Sequence, residues 1–119
     1  MKRIGIVGTR SRNTFVDKNI VIRAFKAIYE EGDEIVSGGC EEGADSFAEY
    51  IAKSMQVPIK IYYAKWKLHG KSAGFLRNTD IAKDSDILIA CVSKDRTGGT
   101  EDTIKKFKKL KTKGKIILV

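Results

Sequence analysis

Apolar positions along this chain switch repeatedly between two periods. KRIGIVGT (residues 2–9) is a short, nearly continuous apolar run, the pattern of a buried strand. Val16, Ile20, Ala24 and Ile28 then recur at helical spacing within a helix expected over about Phe15 to Glu31, and Gly32 supplies a stop. EIVSGG reads as a second strand. Ala44, Phe47, Ala48, Ile51, Ala52 and Met55 follow at the most regular helical spacing in the chain. Pro58 precedes a third strand, IKIYY, and the connection AKWKLHGKSAG leads to a short helix expected around Phe75–Lys83. DILIACV is a fourth, strongly apolar strand. Thr100 can cap a helix running to about Lys113, and KIILV forms a fifth strand.

Alternation of strands and helices with this regularity implies an α/β fold, a Rossmann-like three-layer sandwich with a parallel sheet covered on both faces. Right-handed crossovers favour the strand order 3-2-1-4-5. No linker, repeat or low-complexity segment interrupts the pattern, and 119 residues suit one domain. An apolar share of 42% beside 32% charged residues excludes a disordered chain. No apolar run approaches the ~18 residues of a membrane span, and Met1-Lys2-Arg3 leads into a strand, so a cytoplasmic protein without membrane partners is expected. Cys40 and Cys91 are isolated in sequence, which suggests free thiols and neither a disulfide nor a metal site.

Charge refines the picture. The net charge is +8, yet residues 105–115 hold seven lysines and no acid, leaving 16 bases against 15 acids elsewhere. Residues 27–52 carry eight acids and no Lys or Arg. The lysine run has two readings: a solvated helix face, because Ile104, Phe107 and Leu110 recur every three residues, or a surface for nucleic acid. The first is preferred.

In doubly wound sheets, ligands bind beyond the carboxyl ends of the strands, at the point where strand order reverses. Here that point lies between strands 1 and 4. The loops delivered there are GTRSRN (8–13), SGGCEEGAD (37–45) and SKDRTGGTED (93–102). Glycine lets backbone approach a ligand closely, and the helix N-terminus behind it offers unpaired N–H groups to a phosphate. Two familiar signatures fail. Gly5-Ile-Val-Gly8 is not the dinucleotide fingerprint, and strand 2 ends in Ser-Gly-Gly without a ribose-binding acid. Gly70-Lys71-Ser72 lacks the upstream P-loop glycine, whose place Lys65 takes. No cofactor is implied.

The acids of the second loop divide. Glu41 and Glu42 read as exposed first-turn acids that stabilise their own helix. Asp45 is spaced either for ribose hydroxyls or for the helix dipole. His69, the sole histidine, reads as an exposed loop residue. Cys40 lies near the expected pocket without an evident base, and Cys91 reads as core strand.

Taken together, GTRS after strand 1, SGGCEEGADSFAEYIA after strand 2, AKWKLHGKSAGFLRN and GGTEDTI after strand 4 resemble the SLOG superfamily. That group includes the Smf/DprA DNA-processing proteins and the LOG phosphoribohydrolases. The chain looks most similar to the small stand-alone YspA/YpsA-related branch. The resemblance implies a pocket for a nucleotide or nucleotide-derived small molecule, and relatives that often form homodimers. LOG enzymes hydrolyse the N-glycosidic bond of nucleoside 5′-monophosphates, using an arginine on the helix before strand 4 and a glutamate after P-G-G-x-G-T. Arg77 matches the first. Asp102 stands in place of the second, in a shorter loop without the proline, and could stabilise an oxocarbenium-like centre or orient water. These two are the candidate catalytic residues.

If a nucleotide binds, its phosphate is assigned to backbone N–H groups of Gly98, Gly99 and Thr100, with Arg10 or Arg77 in charge-assisted contact. Gly38 and Gly39 admit the ribose, with Asp45 on its hydroxyls. Gly8, Thr9, Ser11, Ser37 and Asn78 complete the expected ligand-binding set. Trp66 is read either as a stacking surface for the base or, with Tyr63, as packing against the following helix, the latter preferred. Arg77 has the alternative of pairing with Asp80 or Asp84 on its own helix. Three functions follow in order: nucleotide binding, nucleotide N-glycoside hydrolysis, and single-stranded nucleic-acid binding through the C-terminal lysine-rich helix.

Overall fold

Each strand is followed by helix and loop that carry the chain back to the next parallel strand. In this computed structural model, which describes all residues from Met1 to Val119, the elements are β1 (Arg3–Gly8), α1 (Phe15–Ile28), β2 (Glu34–Ser37), α2 (Ala44–Met55), β3 (Ile59–Ile61), α3 (Trp66–His69), α4 (Ala73–Asp84), β4 (Ile87–Cys91), α5 (Gly99–Leu110) and β5 (Lys115–Leu118). All four strand pairings are parallel and the order is β3-β2-β1-β4-β5. This is the expected α/β sandwich.

Period-two alternation in the strands divides the core. Ile4, Ile6, Ile35, Ile89 and Cys91 face α1 and α2, where Val21, Phe25, Phe47 and Ile51 cover them. Val7, Val36, Leu88 and Ala90 face the other way, onto Ile81 and Ala82 of α4 and Ile104 and Phe107 of α5. Phe25 and Phe107 are fully buried; burying a side chain of that kind contributes roughly 1.5–3 kcal/mol. Leu110 remains half exposed, and Lys105, Lys108 and Lys109 project outward from α5. No helix is long and apolar enough to cross a membrane.

Structure and expectation part at four helix boundaries. α1 begins with a capping box between Thr14 and Asp17 and ends at Ile28, ahead of the expected Glu31. The chain leaves the helix because Asp33, buried at the turn, accepts hydrogen bonds from the backbone N–H groups of Glu30 and Lys2. The connection after β3 is itself helical: α3 and a 3-10 turn at Gly70–Ser72 run directly into α4, which starts at Ala73. Thr100 is not a cap. Gly98, with φ +97°, turns the chain into α5, and Thr100 lies buried in its first turn. α5 also stops at Leu110, short of Lys113.

Candidate functional site

The carboxyl ends of β1, β2 and β4 release their loops around one cleft of about 590 Å³. Local sequence builds its walls. α2 and α5 both start at glycine caps, Gly43 and Gly98, and neither cap has a side chain to bond the first-turn N–H groups. The α5 amides therefore remain available to a ligand beside Gly98, Gly99 and Thr100, which line the cleft. Gly43 has φ +73°, and a Cβ there would sit 2.6 Å from the carbonyl oxygen of Thr9. Glycine is required at that crossing of the first two loops.

Most of the expected ligand residues meet here. Gly8, Thr9 and Arg10 arrive from β1, Gly38, Gly39 and Asp45 from the β2 loop and α2, and Trp66, Arg77 and Asn78 from α3 and α4. Three do not line it. The Ser11 hydroxyl is exposed and bonds the Thr9 hydroxyl at 3.0 Å. Ser37 is fully buried, and its hydroxyl makes no hydrogen bond of ordinary geometry, although it lies close enough to Asp45 to favour the ionised carboxyl. Asp102 turns toward α4: its Oδ2 accepts from Asn78 Nδ2 at 3.2 Å and from Lys106 Nζ at 2.8 Å. Packing of α4 on α5 brings Asn78 within reach and Lys106 lies one turn along α5, so the carboxylate expected at the reacting centre is engaged elsewhere.

Arg77 spans the cleft wall. Its Nη1 donates to the Gly38 carbonyl at 2.7 Å, and its Nε to Asn78 Oδ1 at 3.1 Å. The alternative partners on its own helix are not used: Asp84 pairs with Arg3 and accepts from the Tyr62 hydroxyl, and Asp80 is exposed. A Cβ on Gly38 would lie 2.5 Å from Arg77 Nη1 and 2.9 Å from Asp45 Oδ2, so this glycine makes room for both groups. Arg10 is exposed at the cleft and enters none of the chain's seven ion pairs.

Asp45 is the cleft's own carboxylate. It is 9% exposed, and its Oδ2 accepts the Cys40 N–H at 3.1 Å. Burial raises its pKa above the usual Asp range, while the Cys40 amide, the Arg77 charge and the Gly38 amide pull the other way. It thus occupies the first turn of α2 and faces the cleft at once. Glu41 and Glu42 are exposed as expected but precede the Gly43 cap, so Asp45 is the acid of the first turn of α2; His69 is exposed, and Cys91 is buried in β4.

The preference for Trp66 and Tyr63 as packed residues is corrected. Trp66 is 60% and Tyr63 64% exposed, because α3 is a four-residue helix with no buried residue and leaves both rings at the rim. Thr97, Ile81 and Thr103 also line the cleft and were not singled out from sequence. Helical spacing could have found two of them, since Ile81 lies three residues beyond Asn78 and Thr103 three beyond Thr100. No three His, Cys, Asp or Glu side chains converge as a metal site would need.

No family model, curated protein or solved structure matches this chain. The SLOG resemblance rests on its motifs.

Proposed function

We propose that this protein binds a nucleotide or nucleotide-derived anion in the cleft at the carboxyl edge of its sheet. One juxtaposition carries the reading: the Arg77 guanidinium and the uncapped start of α5 share a cleft with the buried Asp45 carboxylate. The cationic groups suit phosphate, Asp45 suits the hydroxyls of a sugar, and Trp66 at the rim offers a face for a base. The resemblance to SLOG proteins supports the same assignment. Hydrolysis of an N-glycosidic bond is supported less, because Asp102 is bonded to Asn78 and Lys106 and does not line the cleft.

Thermal shift with nucleoside mono- and diphosphates, ADP-ribose-type compounds and dinucleotides tests the proposal. Ligand at ~100 times its dissociation constant adds roughly 2.7 kcal/mol, several degrees for a domain of this size. Trp66 is the only tryptophan, so the same titrations read out as a change in its emission. A flat response to every nucleotide by both methods sinks the proposal.

A second reading, single-stranded nucleic acid, is favoured by one surface. From Lys60 to Thr79, both included, there are five Lys or Arg residues and no acid, and Tyr63, Trp66 and Phe75 stand exposed among them. Exposed rings beside cations provide stacking platforms and phosphate contacts. Trp66→Ala should weaken oligonucleotide binding, and Lys105, Lys108 and Lys109 changed together to Gln should reduce its salt dependence. Oligonucleotide affinity unaffected by either set removes this reading.

A further inference from the structure

Asn78 is fully committed to neighbouring protein groups. Its Nδ2 donates to the Gly99 carbonyl at 3.3 Å and to Asp102 Oδ2 at 3.2 Å, and its Oδ1 accepts from Arg77 Nε at 3.1 Å. Flipping the amide would set an NH2 against the arginine and an oxygen against the carboxylate, so the arrangement has one sense. Asp102 is held in turn by Lys106, whose Nζ lies 2.8 Å from Oδ2 and also donates to the Phe75 carbonyl of α4 at 2.7 Å. The chain Lys106–Asp102–Asn78–Arg77 thus runs from α5 through α4 and ends on the Gly38 carbonyl after β2.

We infer that Lys106, Asp102 and Asn78 are positioning residues that fix the Arg77 guanidinium for an oxyanion in the cleft. Arginine has five N–H donors. Asn78 takes the one on Nε and Gly38 takes one on Nη1, which leaves three, all at the Nη1 and Nη2 end. That end is a preorganised fork for a phosphate or carboxylate, and a free arginine would lose rotamer entropy to present it. Lys106 contributes by holding the Asp102 carboxylate in place; without the ammonium, the carboxylate has only Asn78. Asp102 therefore acts through Asn78 and Arg77 and has no need to touch the ligand. The inference rests on reading the cleft as an anion site, but the relay itself can be tested without ligand.

The test uses the full chain and NMR of arginine Nε–H groups, of which there are six. Arg77→Lys identifies the Arg77 signal by its loss. Loss of one charge-assisted contact predicts that Lys106→Met and Asp102→Asn speed exchange of that Nε–H by about tenfold. Lys106→Arg should restore slow exchange, which a merely structural role for the helix surface would not require. An Arg77 Nε–H unchanged in Lys106→Met overturns the relay. In parallel, 5′-AMP is titrated against wild type and Lys106→Met, and about a tenfold loss of affinity in the variant is expected. Equal affinity overturns the link between relay and ligand. If 5′-AMP and inorganic phosphate both fail to bind wild type while Nε–H exchange still responds, the nucleotide reading falls and the relay stands.

Discussion

Arg77 on α4 donates to the carbonyl of Gly38, 2.7 Å away at the end of β2, and so closes one wall of the cleft. The contact depends on glycine, since a Cβ at Gly38 would lie 2.5 Å from the guanidinium. The obstructing atom is the far end of a flexible side chain, so Gly38→Ala should displace Arg77 and leave the fold largely intact. Nucleotide affinity should fall by about tenfold or more with the loss of a charge-assisted contact, while Tm changes by only a few degrees. Calorimetric titration beside thermal unfolding separates the two effects.

Gly43 should behave in the opposite way. Its φ of +73° strains any L side chain, and the obstruction is the Thr9 carbonyl, a backbone atom 2.6 Å from the added Cβ. Gly43→Ala should cost about 1–3 kcal/mol of stability. Urea unfolding would register this as a lower midpoint with an unchanged slope.

Asp45→Asn should stabilise the ligand-free protein at neutral pH. Burial raises the native pKa of Asp45 above its ordinary 3.8, so the folded state holds this proton more tightly than the unfolded chain. Its contribution to stability declines as pH rises from the ordinary value through the native one, and stays lost above. Asparagine removes the buried charge yet can still accept the Cys40 N–H. Tm at pH 7 should therefore rise, the variant's advantage over wild type should shrink or vanish at the acid end of that window, and nucleotide affinity should drop because the sugar loses its acceptor. A lower Tm at pH 7 would contradict the assignment of Asp45 as a destabilising cleft residue.

Asp33 has the reverse sign. Burial pushes its pKa up, but the Lys2 ammonium and the N–H groups of Lys2 and Glu30 outweigh that effect and hold it below 3.8. Its contribution is present above the ordinary value and is lost as pH falls below it through the native one. Asp33→Ala, which leaves those N–H groups unpartnered, should cost about 1–3 kcal/mol at pH 7. Its acid unfolding should be less steep than that of wild type between about pH 5 and 2. Stability curves at fixed pH intervals check both.

The fold was legible because strand order follows from local signals. Apolar runs such as ILIAC and helical spacing such as Ala44, Phe47, Ala48 and Ile51 are properties of neighbouring residues, and handed crossovers then leave few ways to assemble them. Helix ends were read less well. Gly32 looks like the stop of α1, but Asp33 captures the N–H groups of Glu30 and Lys2 and ends the helix sooner, and Lys2 is 31 residues away.

Within the site, the sequence by itself determined which segments assemble: the glycine-rich loops at 8–13, 37–45 and 93–102 lie at the carboxyl ends of β1, β2 and β4 for topological reasons. Only the tertiary structure decided what each side chain does there. Asp102 faces Asn78, 24 residues earlier, instead of the cleft; Trp66 stands exposed on a helix too short to bury it; and Arg77 finds a backbone carbonyl 39 residues before it. Hydrogen-bond partners of this kind are set by the distance and angle at which α4 and α5 pack on the sheet. That geometry is a property of the assembled core, and no local pattern of residues encodes it.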